Sequence, residues 1–202
     1  MNVGQEINQW RRDDGDTNLR YDYNLNETSI VFDLGGFKGE FADKIYEKFS
    51  CKVYVFEPVK LLYDEIVSKF RGNPNIKIFN FGLYNKTCEV DIYLKGSASS
   101  HITKSSSVKE TIKLVNISEF MIEENCNIDL MKINIEGAEY EIIDKLYEDN
   151  LLNKIKEMQV QFHWVDIPDC EEKLISAQQK LAKTHKPTWS YKFVWENWKQ
   201  NY

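Results

Sequence analysis

The chain has 202 residues, enough for one domain of ordinary size with a substantial core, and its 42% hydrophobic content excludes wholesale disorder. A net charge of −6 argues against a protein that coats nucleic acid, which ordinarily presents a basic face. No run approaches the roughly 18 apolar residues that cross a bilayer, and the N-terminus has no apolar leader, so a soluble cytoplasmic protein without stable membrane insertion is expected.

The first 27 residues are polar and read as an N-terminal extension anchored by Trp10, Arg20, Tyr21 and Tyr23, followed by a single domain over residues 28–202. Residues 29–34 (SIVFDL) predict a strand and 39–49 a helix with Phe41, Ile45 and Phe49 on one side. KVYVFE (52–57) predicts a second strand, and Pro58 opens a helix reaching Phe70. RGNPN is a turn before a third strand, IKIFNF (76–81). Weaker strands follow at 88–94 and 110–115, around a Ser-rich loop in which Ser97–Ser100 and His101 either cover an acceptor or form a mobile surface loop. A short helix at 117–124 leads to a strand at 129–136, a helix from Gly137, a strand at 156–164 and a helix at 169–184. YKFVWENW (191–198) predicts the last strand. Strand–helix alternation of this kind predicts an α/β fold with a mostly parallel sheet, helices on both faces and ligands at the C-terminal strand ends.

Three signals lie at those ends. Asp33, Gly35, Gly36 and Gly39 form D-x-G-x-x-x-G, whose outer glycines are four apart; a dinucleotide fingerprint places them five apart. This is the spacing of S-adenosylmethionine (SAM) sites. Glu57 ends the second strand, where a carboxylate accepts both hydroxyls of a ribose and repels a 2′-phosphate. Asn80 and Gly82 follow the third strand, placed to read an adenine edge or simply to turn the chain.

Two strands carry polar ladders. Lys132, Asn134 and Glu136 alternate with Ile133 and Ile135; Gln159, Gln161 and His163 alternate with Val160 and Phe162. Alternation puts each set on one face of its strand, and neighbouring polar tips make a cleft floor. His163 is the candidate general base because its ordinary pKa lies near neutrality, with Glu136 second and Asn134 lining the methyl end. The three histidines are scattered, so no metal site is expected, and the four separated cysteines indicate neither zinc nor disulfides.

VFDLGGFKGEF, VYVFEP and LMKINIEGAEYEII together resemble the FkbM-type SAM-dependent methyltransferases over about residues 19–165. The family motif K-I-D-x-E-G-x-E reads Lys132-Ile-Asn134-Ile-Glu136-Gly137-Ala-Glu139 in this chain. KINIEG and FVWENW are similar to a subgroup of small FkbM-like proteins. The resemblance implies a Rossmann-like class I fold with a seven-stranded sheet ordered 3-2-1-4-5-7-6, SAM as cofactor, and O-methylation of a hydroxyl on a sugar, glycan or related small metabolite. Two positions depart from the family. Phe37 stands where its loop carries Asn, with the expected loss of a polar contact to SAM, and Asn134 replaces Asp, which removes a carboxylate as base or metal ligand. An NAD- or nucleotide-binding oxidoreductase, and a non-catalytic binding module with a vestigial SAM pocket and an aromatic docking tail, are the alternatives. A homodimer is compatible with the sequence.

Overall fold

The computed structural model describes residues 2–94, 108–165 and 167–201. The Ser97–Ser100 and His101 expectation lies outside the described residues. The chain opens with α1 (Val3–Arg12), continues through a single 3-10 turn at Leu19–Tyr21, and then alternates: β1 (Ile30–Leu34), α2 (Glu40–Phe49), β2 (Lys52–Phe56), α3 (Lys60–Lys69) and β3 (Ile76–Phe79). Three further strands follow, β4 (Gly82–Tyr84), β5 (Cys88–Leu94) and β6 (Val108–Asn116), and then α4 (Ile117–Glu124), β7 (Ile128–Ile133), α5 (Glu139–Glu148), β8 (Ile155–Val160), α6 (Cys170–Leu181), β9 (His185–Tyr191) and β10 (Trp195–Gln200).

Seven strands form one sheet in the order β3-β2-β1-β7-β8-β10-β9, which is the order 3-2-1-4-5-7-6. Pairing is parallel except at β10, which runs antiparallel to both β8 and β9. β4, β6 and β5 make a separate three-stranded sheet, so the weaker strands of the sequence do not join the main one.

Strand alternation sorts the core into two layers. Val31, Val53, Val55 and Leu130 face α2 and α3, meeting Phe41, Ala42, Ile45 and Ile66. Phe32, Phe56, Met131, Ile133, Met158 and Val160 face the opposite way, against α4, α5 and α6. In this second layer Phe56 stacks on Phe79 with centroids 5.0 Å apart and meets Phe120 edge-on at 5.2 Å, an arrangement favoured by the ring quadrupoles.

The first face also carries a polar row. Asp33 is registered with Lys132, Lys132 with Gln159, and Gln159 with Asn197, so four adjacent strands place a polar side chain at one level. All four are buried. The N-terminal residues cover this row. The Tyr23 hydroxyl lies 2.8 Å from the Gln159 amide and 3.1 Å from Asn197 Oδ1. In the amide orientation that satisfies both Gln159 groups, its nitrogen donates to Tyr23 and to the Arg20 carbonyl, while its oxygen accepts from Arg20 Nε. The Arg20 guanidinium sits 4.3 Å over the Trp195 ring. Trp10, the one buried side chain of α1, packs on Trp189 and Tyr191, and Tyr191 donates to Asp13.

Three expected boundaries move. The strand expected at 156–164 ends at Val160, leaving Gln161 and His163 beyond it. The strand expected at 129–136 ends at Ile133, leaving Asn134 to Ala138 as a turn. The last strand is Trp195–Gln200; Tyr191 closes β9, and residues 192–194 turn between them. Helix α1 and strand β9 were not expected; α1 buries only one side chain, and β9 is an edge strand interrupted by Pro187, a position where proline is tolerated. Among the described residues no helix is long and apolar enough to cross a membrane.

Tyr23→Phe removes the hydroxyl that joins Gln159 to Asn197 and leaves buried amide groups short of a partner. Urea denaturation is expected to show a loss of about 1–3 kcal/mol with an unchanged m-value.

Candidate functional site

The strand order sets four loop tips side by side. From β2 comes Glu57; from β1, residues 35–39; from β7, the turn from Asn134; from β8, Gln161 to His163. Gln161 N donates to Ile133 O and Asn134 N to Leu34 O, so the parallel ladders continue into these tips and hold them together.

The glycine loop is shaped by close approach. Gly35 has φ +79°, and a Cβ there would lie 2.0 Å from the Asn134 carbonyl oxygen. Gly39, at φ +72°, begins α2 against the Phe70 ring, which a Cβ would meet at 2.8 Å. The amides of Gly35 and Gly36 both donate to Phe56 O, and Gly39 N donates to Gly36 O. Phe37 N donates to the Glu57 carboxylate at 2.8 Å. With these four amides engaged inside the protein, and Glu40 and Asp43 in the first turn of α2, the loop offers little to the pyrophosphate of a dinucleotide.

Beneath the loop, Asp33 is wholly buried, and the Lys132 ammonium lies 2.9 Å from its Oδ1. That approach lacks hydrogen-bond geometry, so neither Asp33 oxygen receives a hydrogen bond from a described residue. Lys132 instead donates to Gly35 O at 2.7 Å and Leu34 O at 3.2 Å.

Glu57 is 4% exposed. One oxygen accepts from Phe37 N and the other from Val59 N, leaving further acceptor capacity on each. Burial pushes its carboxyl up to about 6 against the pull of those two amides. Asn80 donates to the carbonyls of Glu57 and Pro58 and so braces the β2 tip, its oxygen remaining an acceptor. Gly82 begins β4, where a Cβ would meet Leu114 at 2.8 Å; its smallness serves packing with β6.

At the other end, His163 Nδ1 lies 2.7 Å from Glu139 Oε1. The same oxygen accepts from Ile135 N at 2.9 Å and Gly137 N at 3.3 Å. A carboxylate oxygen facing three donors requires the hydrogen on Nδ1, which leaves the lone pair on Nε2. Tyr140 donates to the His163 carbonyl and fixes the backbone. Burial pulls the His163 pKa down, but the Glu139 hydrogen bond and charge, with Glu136, outweigh it and the net shift is upward. Nε2 faces Glu136 Oε2 at 3.6 Å. Glu136 is not on a strand face as expected; it sits in the turn at φ +55° with its side chain 88% exposed. The Asn134 side chain is half-buried, and it is its backbone carbonyl that the glycine loop approaches at Gly35. Glu139 was absent from the expected site. Its signal was the second acid of E-G-x-E, placed to cap the turn before α5.

A family model described as the methyltransferase FkbM domain matches residues 33–179. The chain belongs to the FkbM methyltransferase family. Among curated proteins none matches the sequence. The fold is shared with an rRNA methylase from Streptococcus thermophilus (TM-score 0.54, 10% identity, 88% of this chain and 90% of that one). It is shared likewise with a putative rRNA methylase from Clostridium thermocellum (0.52, 8%, 88% and 89%) and a precorrin-6y C5,15-methyltransferase from Geobacter metallireducens (0.50, 10%, 91% and 85%). The FkbM chain is therefore a SAM-dependent methyltransferase with a class I fold.

The residues present fit SAM. The loop and the β2 tip are rich in acceptors and poor in free donors, which suits a cofactor carrying a sulfonium, an ammonium and two ribose hydroxyls. Phe37 has φ +51°, a left-handed conformation that Asn adopts more readily than Phe, so the loop geometry itself accounts for the family's asparagine at this position. Since the Phe37 ring is 47% exposed, Phe37→Asn sacrifices little packing and is expected to stabilise the fold by about 1 kcal/mol in urea melts. For Glu57, hydroxyl donors favour the ionised form, which prevails above pH 6 and is lost below it. Calorimetric SAM affinity is expected to be flat above pH 6 and to fall by up to roughly tenfold per unit below it, with Glu57→Gln weak and flat throughout.

Proposed function

We propose that the FkbM chain methylates a hydroxyl oxygen on a sugar, a glycan or a related small metabolite. The observation that carries this reading is the buried Glu139 carboxylate holding His163 at the β8 tip, two strands from the glycine loop, with Nε2 free to take a proton. An alcohol is a poor nucleophile until its proton leaves, whereas a neutral amine needs no base, so an oriented imidazole points to oxygen.

SAM, when bound, would supply a methyl group activated by its sulfonium, with S-adenosylhomocysteine as the product. Glu57, with Gly35, Gly36 and Gly39 shaping the loop and Asn80 bracing the β2 tip, would hold the nucleoside. Asn134 would orient the groups that meet between the loop and His163. His163 Nε2 would take the proton of the acceptor hydroxyl. The proton then passes toward solvent beside the exposed Glu136. Positioning the acceptor oxygen in line with the methyl supplies most of the remaining rate.

Charge supports an uncharged acceptor. The chain is −6 overall, and Glu136 and Glu139 flank the base, which disfavours a polyanion such as RNA. Among the described residues no group of three or more His, Cys, Asp or Glu is arranged to hold a metal ion. All four cysteines are free thiols, which suits a reducing, cytoplasmic setting.

The test is methyl transfer from labelled SAM to a panel of sugars, nucleotide sugars, glycans and RNA, with transfer confined to hydroxyl-bearing sugars. His163→Ala is expected to lower kcat by roughly 10²–10⁴ and leave SAM affinity nearly intact. Glu139→Gln keeps the cap but removes the charge that raises the His163 pKa, so the acidic limb of the kcat/KM profile should move to lower pH. Transfer to RNA but not to sugars would contradict the reading.

A further inference from the structure

The sequence assigns Asp33 to the cofactor, as the acid of D-x-G-x-x-x-G. In the structure its carboxylate is wholly buried on the α2 and α3 side of the sheet and has no face toward the cleft. What reaches the loop is Lys132, from the neighbouring strand. Its side chain is 4% exposed, lies 2.9 Å from Asp33, and donates to the carbonyls of Gly35 and Leu34.

We propose that Lys132 is the positioning residue of the cofactor loop: its ammonium, anchored by Asp33, clamps the carbonyls of Leu34 and Gly35 and sets the turn that receives SAM, so that Asp33 acts through Lys132 and not by contact.

The geometry demands such a clamp. Gly35 is the point of closest approach between the loop and β7, where even a Cβ would strike the Asn134 carbonyl at 2.0 Å. At that crossing the Gly35 amide bonds to Phe56 of β2, and its carbonyl bonds to Lys132 of β7. The residue is thereby held from both neighbouring strands. A hydrogen bond from a charged donor is stronger than one between neutral groups, and burial strengthens it further. The pair alone does not explain its own retention, since two buried opposite charges rarely outperform neutral side chains of the same shape. An ammonium that also organises two carbonyls at a binding loop supplies the missing reason. It also adds a local requirement to K-I-N-I-E-G: the lysine is two residues before the turn that holds Glu136, in the register that sets it opposite Asp33.

The inference takes the SAM site as given, so binding is read with S-adenosylhomocysteine and needs no acceptor. Lys132→Met alone leaves the Asp33 charge without a partner and is expected to lower Tm. The double variant Asp33→Asn with Lys132→Met removes both charges at nearly constant shape and is expected to recover most of that loss. Affinity should not recover. Both variants should bind S-adenosylhomocysteine at least roughly tenfold more weakly than the wild type in calorimetry, the effect of losing one hydrogen bond to a charged group. In both, the amides of residues 35–39 should exchange with deuterium faster than in the wild type, while those of β8 do not. A double variant that regains Tm and binds within about twofold of the wild type, with loop exchange unchanged, would reduce the pair to a structural role and overturn the proposal. Wild-type protein that fails to bind S-adenosylhomocysteine at all would instead refute the cofactor assignment.

Discussion

Asp33 and Lys132 face each other across two parallel strands with almost no access to water, and much of the molecule follows from keeping that pair dry and in register. The pair requires β1 and β7 to be adjacent, which places the long crossover through α2, β2, α3 and β3 on one side and α5 with β8 on the other. It requires a cover on the sheet face that α2 and α3 leave open, and the N-terminal residues supply one. Tyr23 bonds to Gln159 and Asn197, and Arg20 to Gln159, at the level where Asp33 and Lys132 pair on the neighbouring strands.

The same register makes the site. Because the strands are parallel and in the order β2-β1-β7-β8, their C-terminal tips present a carboxylate, a glycine loop, an amide turn and an imidazole in a line. The ends of that line differ in kind. At one end Glu57 is buried with a backbone amide on each oxygen, and its ionised carboxylate accepts further hydroxyl donors and repels phosphates. At the other, Glu139 raises the His163 pKa and leaves Nε2 pointing toward an exposed acid, an arrangement for moving a proton. Binding and proton transfer are thus separated along the sheet edge while resting on one backbone ladder.

Much of this was legible in the chain. VFDL, VYVF and LMKI each carry apolar residues toward two cores and EMQV toward one, and the polar residues interrupting them, Asp33, Lys132 and Gln159, belong to the buried row. What could not be read has physical causes. The alternation Lys132, Asn134, Glu136 continues past the end of β7, so periodicity alone extends the strand through a turn that Gly137 closes. Glu139 looks like the first residue of a helix; that it turns back to cap Ile135 and Gly137 and grips a histidine 24 residues on is a tertiary fact. Helix α1 was legible and was missed: a capping box at Asn2 and Gln5 opens it, and Val3, Ile7 and Trp10 fall on one side at helical spacing, although only Trp10 is fully buried. Strand β9 exposes one face and contains a proline, so it lacks both signs of a strand.

The central claim is that a nucleoside lies across the β1 and β2 tips with its reactive end toward Asn134 and His163. A crystal structure of the FkbM chain with S-adenosylhomocysteine tests this most directly. The account predicts both ribose hydroxyls within hydrogen-bond distance of the Glu57 carboxylate, the sulfur on the Asn134 side of the glycine loop, and His163 Nε2 facing the open space beyond the sulfur. Ribose density away from Glu57, or a sulfur directed away from the β7 and β8 tips, would contradict it.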